Sequence, residues 1–140
     1  MFHNILVAND GSEGGRRALQ AALDLAVACE AELHSISVEE GLPRYAGTVD
    51  EVQAVKEQLN GAVRSINEEA AALARERGVE LHWTVVAGHE VQAVIEHCKR
   101  GGFDLLVIGF MGHSAIYGRI WGSTSQTLTR LAPCSVLVVK

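Results

Sequence analysis

The stretch "DLLVIGFMGHSAIYGRIWGST", residues Asp104 to Thr124, decides the fold. In it, an apolar run of strand character is followed at once by a glycine-rich segment that ends in a Ser-Thr pair. The glycines are Gly109, Gly112, Gly118 and Gly122. A plain turn needs one or two glycines, so this segment predicts a backbone that comes close to a ligand.

Outside this stretch, apolar segments with the spacing of strands and of helices alternate along the chain. The predicted strands are His3–Asn9, Glu32–Val38, Val79–Ala87, Asp104–Gly109 and Cys134–Lys140. The predicted helices are Gly14–Glu30, Asp50–Arg77, a third through Val91 and Cys98 to a glycine stop, and Gly122–Leu131. This alternation predicts an α/β fold, a doubly wound five-stranded parallel sheet. We expect one domain over residues 1–140.

The composition of the 140 residues narrows the class of protein. Hydrophobic residues make up 48% and charged residues 21%, which is typical of a globular domain. The net charge of −5 disfavours a nucleic-acid partner. No apolar run approaches the roughly 18 residues that cross a bilayer, and the first residues lack signal-peptide features, so we expect a cytoplasmic protein without a membrane partner. Cys29, Cys98 and Cys134 are widely spaced and predict buried thiols.

The predicted topology gives a place for a ligand. In a doubly wound sheet, ligands bind beyond the carboxyl ends of the strands, where the strand order reverses. With the order 3-2-1-4-5, that crevice lies between the first and fourth strands. The turn "NDGS" at Asn9–Ser12 and the glycine-rich segment both open onto this crevice.

The glycine-rich segment has the composition of an anion site. Glycines let main-chain amides approach a ligand, and amides that point inward bind anions. Gly122, Ser123 and Thr124 then begin a helix, whose first N–H groups and dipole favour a phosphate. Neither GxxxxGK[ST] nor a dinucleotide-binding GxGxxG is present. The segment therefore predicts phosphate binding without the usual groups for phosphate transfer.

The spacing Gly109-x2-Gly112-x9-Gly122-Ser123 resembles the nucleotide-binding motif of the universal stress protein family, G-x2-G-x9-G-[S/T]. The segments "ILVANDGSEGGRRAL", "DLLVIGFMGHS" and "LAPCSVLVV" resemble that family's first strand and turn, fourth strand and last strand, so the similarity runs from end to end. This resemblance implies an adenine nucleotide alpha hydrolase-like (Rossmann-like) sandwich. It also implies a dimeric cytoplasmic protein of the ATP-binding branch.

Matching positions give the site that the resemblance implies for ATP, or for ADP or AMP. Ala8, Asn9 and Asp10 would border the adenosine, and Val38 would contact adenine through its main chain. The residues expected around ribose and phosphates are Gly109, Met111, Gly112, Gly122, Ser123 and Thr124. The last strand, Ser135–Lys140, would pair with its counterpart in a homodimer.

Other readings of these residues stay open. Asp10 is predicted to accept hydrogen bonds from ribose or adenine; the structural alternatives are that it caps the first helix or orders its own turn, and both kinds of role are compatible. Arg119 and His113 either reach the phosphates or cover the loop. Glu39 and Glu40 are expected to begin a solvated loop rather than to hold a metal ion.

Structural roles are expected for the tryptophans and for three histidines. Trp83 and Trp121 are predicted as packing anchors. His34 and His82 fall within strand patterns, where half-exposed structural histidines are usual, and His89 lies near the start of the third helix.

Two functions compete at the predicted site. The first is an ATP-dependent sensor or regulator. The second is a slow ATPase that works through Asp10 and Mg²⁺. A receiver domain is excluded, because the third strand ends in "VVAGHE" and lacks the aspartate that such a domain phosphorylates.

Overall fold

The structure is a computed structural model that describes residues 1–40, 49–110 and 123–140, with the side chains of 49–59 and 123 outside the description. The strands are β1 (Asn4–Ala8), β2 (Glu32–Glu39), β3 (Leu81–Ala87), β4 (Leu105–Gly109) and β5 (Ser135–Val139). The helices are α1 (Glu13–Cys29), α2 (Val49–Glu76), α3 (Glu90–Gly101) and α4 (Ser123–Leu131). Strands and helices alternate as the sequence predicts.

The five strands form one sheet in the order β3-β2-β1-β4-β5, and every neighbouring pair is parallel. This confirms the predicted order and the reversal between β1 and β4. Leu6 of β1 lies opposite His34 of β2 and Leu106 of β4. β1 and β4 are apolar on both faces because helices cover both.

Two apolar layers hold the helices on opposite faces of the sheet. One layer joins α1 and α2 to the face that carries Ile5 and Val107. The other joins α3 and α4 to the face that carries Leu6 and Leu106. Ile5, Leu6 and Val107 have no exposed surface, and each fully buried side chain of this kind contributes about 1.5–3 kcal/mol to the free energy of unfolding.

Capping residues explain where the helices begin and end. Ser12 caps the N-terminus of α1, because its Oγ accepts a hydrogen bond from Gly15 N at 3.0 Å. α2 ends before Gly78, which has a φ of +73°, as the sequence predicts. Gly102 ends α3 in the left-handed conformation, and His89 is the N-cap residue of that helix.

Two expectations about burial need correction. Trp83, predicted as a packing anchor, leaves 39% of its surface exposed, because β3 is an edge strand whose residues from His82 to Val85 are all exposed. Cys98 is buried as predicted, whereas Cys29 and Cys134 are only half-buried. His34 is half-buried as predicted, whereas His82 is exposed; the two rings lie with centroids 4.9 Å apart and are tilted by 32°.

Within the described ranges, none of the helices combines the length and the apolar composition that crossing a bilayer requires.

Candidate functional site

A cavity of about 450 Å³ opens at the carboxyl edge of the sheet, above the ends of β1, β2 and β4. Its floor is apolar, with Ala8, Ile36, Val38 and Ile108 from the three strands. Its walls come from four helices: Gly15 of α1, Val63 and Ile66 of α2, Glu90 and Val94 of α3, and Thr124, Ser125 and Leu128 of α4. A cavity of this size and composition fits a small organic ligand.

The cavity coincides with the crevice predicted from the strand order. Six of the predicted site residues line it, and they come from four separate segments of the chain. They are Ala8, Asn9, Asp10, Val38, Gly109 and Thr124. Ser123 begins α4, but its side chain lies outside the described residues. Met111, Gly112, His113, Arg119 and Gly122 also lie outside the described residues, as does Trp121.

Hydrogen bonds within the turn after β1 hold Asp10 at the cavity. Its Oδ1 accepts from Ser12 N at 2.9 Å and also from the Ser12 hydroxyl. Asn9 Oδ1 accepts from Gly11 N at 3.2 Å. The turn-ordering interpretation of Asp10 is thus confirmed, because the bond to Ser12 N closes an Asx turn. Its contact with a ligand stays a prediction.

Gly109 has a packing role that the sequence did not reveal. A Cβ on Gly109 would lie 2.6 Å from the Gly14 carbonyl oxygen and 2.7 Å from the Gly14 carbonyl carbon. The first turn of α1 therefore packs directly on the end of β4, and only a residue without a Cβ leaves the space. Gly109 also lines the cavity, so one glycine brings the helix, the strand and the cavity wall together.

Hydrogen bonds join both ends of the glycine-rich segment to the sheet. Phe110 N, just after β4, donates to Val139 O at 2.8 Å. Ser125 Oγ, in the first turn of α4, donates to Gly109 O at 2.9 Å. Ser125 is buried and lines the cavity beside Thr124. The sequence predicts hydroxyl groups at Ser123 and Thr124 and misses the next residue, although its hydroxyl continues the same run.

A buried polar network joins the cavity lining at Asn9 and Ser37 to α2. Ser37 Oγ donates to Asn9 O at 2.6 Å, and Asn67 Nδ2 donates to Ser37 Oγ at 3.1 Å. Asn67 comes from α2, between Val63 and Ala70 of the apolar stripe. A polar residue inside that stripe was a signal that could have located this network from the sequence.

The described part of the cavity lining is acidic. Asp10, Glu39, Glu40 and Glu90 line it, whereas no lysine, arginine or histidine of the described residues does. With its amide oriented to suit its neighbours, Asn60 Nδ2 donates to Glu39 Oε1 at 2.8 Å. No group of three or more His, Cys, Asp or Glu side chains among the described residues is arranged to hold a metal ion.

Comparison with known proteins agrees with the geometry. The sequence model of the universal stress protein family matches residues 1–140. The chain belongs to this family. A curated universal stress protein from Thermus aquaticus, encoded in the QAH/OAS sulfhydrylase 3′ region, is 34% identical over 143 residues, with both chains covered completely.

Solved universal stress proteins share the fold. UspA from Lactobacillus plantarum superposes with a TM-score of 0.90 at 20% identity, covering 99% of this chain and 98% of that one. A universal stress protein solved in complex with cAMP superposes with a TM-score of 0.77 at 27% identity, covering 99% of this chain and 97% of that one. The α/β fold with the order 3-2-1-4-5 is therefore that of the universal stress proteins, as the sequence predicts.

Proposed function

We propose that this universal stress protein binds an adenine nucleotide, ATP, ADP or AMP, in the cavity at the carboxyl edge of its sheet. The observation that carries the proposal is the meeting of four predicted segments around one cavity at the topological switch point. The family relative solved with cAMP supports an adenine nucleotide as the ligand.

The floor and the rims of the cavity suit different parts of a nucleotide. A planar base needs apolar contact surface, which Ala8, Val38 and Ile108 offer. We assign the main-chain groups of Val38, near the end of β2, to the polar edge of the adenine ring. The Asp10 carboxylate is suited to accept hydrogen bonds from ribose hydroxyls.

The phosphates belong at the opposite rim, where α4 begins. Its first N–H groups have no partner within the helix and its dipole favours an anion, with Thr124 beside them. We assign Gly109, Met111, Gly112, Gly122 and Ser123 to the same rim, with Arg119 as its positive charge and His113 as a further hydrogen-bonding group.

The acidic lining favours nucleotides whose phosphate charge is partly neutralised. Mg²⁺ usually binds through one or two carboxylates together with substrate phosphates. The described residues form no cage of their own for a metal ion. We therefore propose that Mg²⁺ arrives bound to the phosphates of ATP, where it would partly neutralise their charge in an acidic cavity.

We further propose that nucleotide occupancy regulates the protein as a cytoplasmic sensor and that two copies pair through Ser135–Lys140. β5 forms one edge of the sheet, and Val136 to Val139 are only half-buried. An edge strand presents main-chain groups that a second strand satisfies by pairing.

Calorimetry with matched variants tests the site. Wild type should bind ATP, AMP and adenosine, with a Kd for ATP on the order of micromolar. Val63→Trp extends an indole into the cavity from α2 and should weaken all three by at least about tenfold. Val85→Trp, on exposed β3 outside the cavity lining, is the matched control and should leave all three unchanged.

A loop variant separates the two halves of the site. Gly122→Val should weaken ATP and AMP and leave adenosine unchanged, because it alters the phosphate rim alone. Wild type that binds no adenine nucleotide, or equal affinity in Val63→Trp, would refute the proposal. Single-turnover phosphate release distinguishes sensor from enzyme, since rapid release that depends on Asp10 would establish an ATPase.

A further inference from the structure

Asn67 joins α2 to β2 through side-chain hydrogen bonds. Its side chain has no exposed surface. The amide Nδ2 donates to Val63 O at 2.9 Å within α2 and to Ser37 Oγ at 3.1 Å on β2. Its Oδ1 accepts from Ser35 Oγ, also on β2, at 3.4 Å. Both N–H groups of the amide are therefore occupied, which fixes its orientation.

The direction of the chain of hydrogen bonds follows from the distances. The Ser37 hydroxyl has one proton, and its oxygen lies 2.6 Å from Asn9 O but 3.4 Å from Asn67 Oδ1. The proton therefore goes to Asn9 O, while the Ser37 oxygen accepts from Asn67 Nδ2. The hydrogen bonds therefore run in one direction, from Asn67 of α2 through Ser37 of β2 to Asn9, the residue that follows β1.

This network lies where the core reaches the cavity. Farther along the same interface, the side chains of Ala70, Ala74 and Leu33 are apolar and buried. Asn9 and Ser37 line the cavity, whereas Asn67 stands behind them and is not part of its surface. Since buried polar groups stabilise a core less than apolar ones of equal size, a polar network at this point indicates a task other than packing.

We propose that Asn67 is a positioning residue for base recognition, an inference that rests on the proposed function. Through Ser37, whose hydroxyl donates to Asn9 O, it adds a second link between Asn9 and β2, beside the bond from Asn9 N to Ile36 O at 3.0 Å. The same amide anchors α2, whose Ile66 side chain contacts the turn at Gly11. The main chain around Asn9 and Val38 would then already have its binding conformation before the base arrives. Recognition of the polar edge of the base depends on that conformation.

The readout is the preference for adenine over guanine, measured as the ratio of the Kd values for GTP and ATP. Ser37→Ala removes the donor to Asn9 O and the acceptor of Asn67. Asn67→Ala removes the anchor from α2. Both variants should lower the ratio by about tenfold, because the lost hydrogen bonds free the recognition edge while the phosphate rim is retained. Ser37→Thr keeps the hydroxyl and should therefore retain the wild-type ratio of the Kd values for GTP and ATP.

Asn4→Ala is the matched control. Asn4 begins β1, at the end of the strand away from Asn9 and the cavity, and its Nδ2 donates to Gly101 O at 3.1 Å. Its loss removes an asparagine hydrogen bond to a main-chain carbonyl without touching the cavity. Asn4→Ala should lower the midpoint of urea unfolding and leave the ratio of affinities unchanged.

The outcomes separate this inference from the proposed function. Wild type that binds no adenine nucleotide refutes both. Wild type that binds ATP with no preference over GTP, or Ser37→Ala with an unchanged ratio, overturns the inference alone and assigns the network to folding. If Asn67→Ala does not fold, Ser37→Ala and its threonine rescue decide the result.

Discussion

Replacement of Gly109 by alanine tests the contact between β4 and α1. The φ of Gly109 is not in the left-handed region, so the added methyl group acts through space and not through backbone strain. All three nearest atoms belong to the Gly14 main chain, the closest at 2.6 Å and the farthest at 3.1 Å. A main chain cannot rotate away as a side chain can, so the strand and the helix have to separate.

The expected loss is about 1–3 kcal/mol in the free energy of unfolding, the usual range for overpacking a filled site. For a chain of 140 residues, the unfolding entropy makes 1 kcal/mol equal to about 3 °C in Tm. Gly109→Ala should therefore lower Tm by about 3–10 °C. Urea unfolding followed by circular dichroism, with Tm from calorimetry, measures both quantities.

Gly61→Ala is the control with the same chemical change. Gly61 lies within α2, is exposed, and has nothing within 4 Å of the position of an added Cβ. Alanine there should raise the free energy of unfolding by about 0.5–1 kcal/mol, because glycine is the poorer helix former. Equal effects of the two substitutions, or a Gly109→Ala protein as stable as wild type, would refute the close approach of α1 to β4.

Two further predictions concern titration. Burial, and then the nearby His34 and Arg100, lower the pKa of His97 below its ordinary value of 6.5. Folding therefore favours the neutral ring of His97. Its contribution to the free energy of unfolding is fully present above about pH 6.5 and is lost as the pH falls below that value. In His97→Gln, this part of the pH dependence, measured by urea unfolding, should disappear. Burial, followed by the neighbouring Cys134, raises the pKa of Cys98 to about 12. A disulfide reagent at pH 8 should modify Cys98 only after unfolding, and rapid modification of the native protein would show that this thiol is accessible.

Much of the fold was predictable because each strand and helix carries its own pattern. The apolar run from Leu105 to Ile108 and the glycine stop at Gly78 both report local structure, and the structure agrees with each. Trp83 was not predictable in this way, since its exposure depends on which strand lies at the edge and on what covers it.

The candidate site was likewise predictable only in part. The cavity and its place between β1 and β4 follow from topology, whereas the roles of the predicted ligand residues stay predictions. Ser37 and Asn67 are 30 residues apart and meet only through the packing of α2 on β2. Gly109 looks like a ligand glycine in the sequence, yet its neighbour Gly14 gives it a second constraint. Such contacts join distant residues and leave no periodic signal.

The hydrogen bonds of Phe110 and Ser125 at the two boundaries of the glycine-rich segment have a consequence for engineering the site. Their acceptors, Val139 O and Gly109 O, belong to the paired strands β5 and β4. Because groups outside residues 111–122 make both bonds, substitutions within that range remove neither donor nor acceptor. Ligand preference can therefore be varied at residues 111–122 while the groups that join the two boundaries to the sheet are kept.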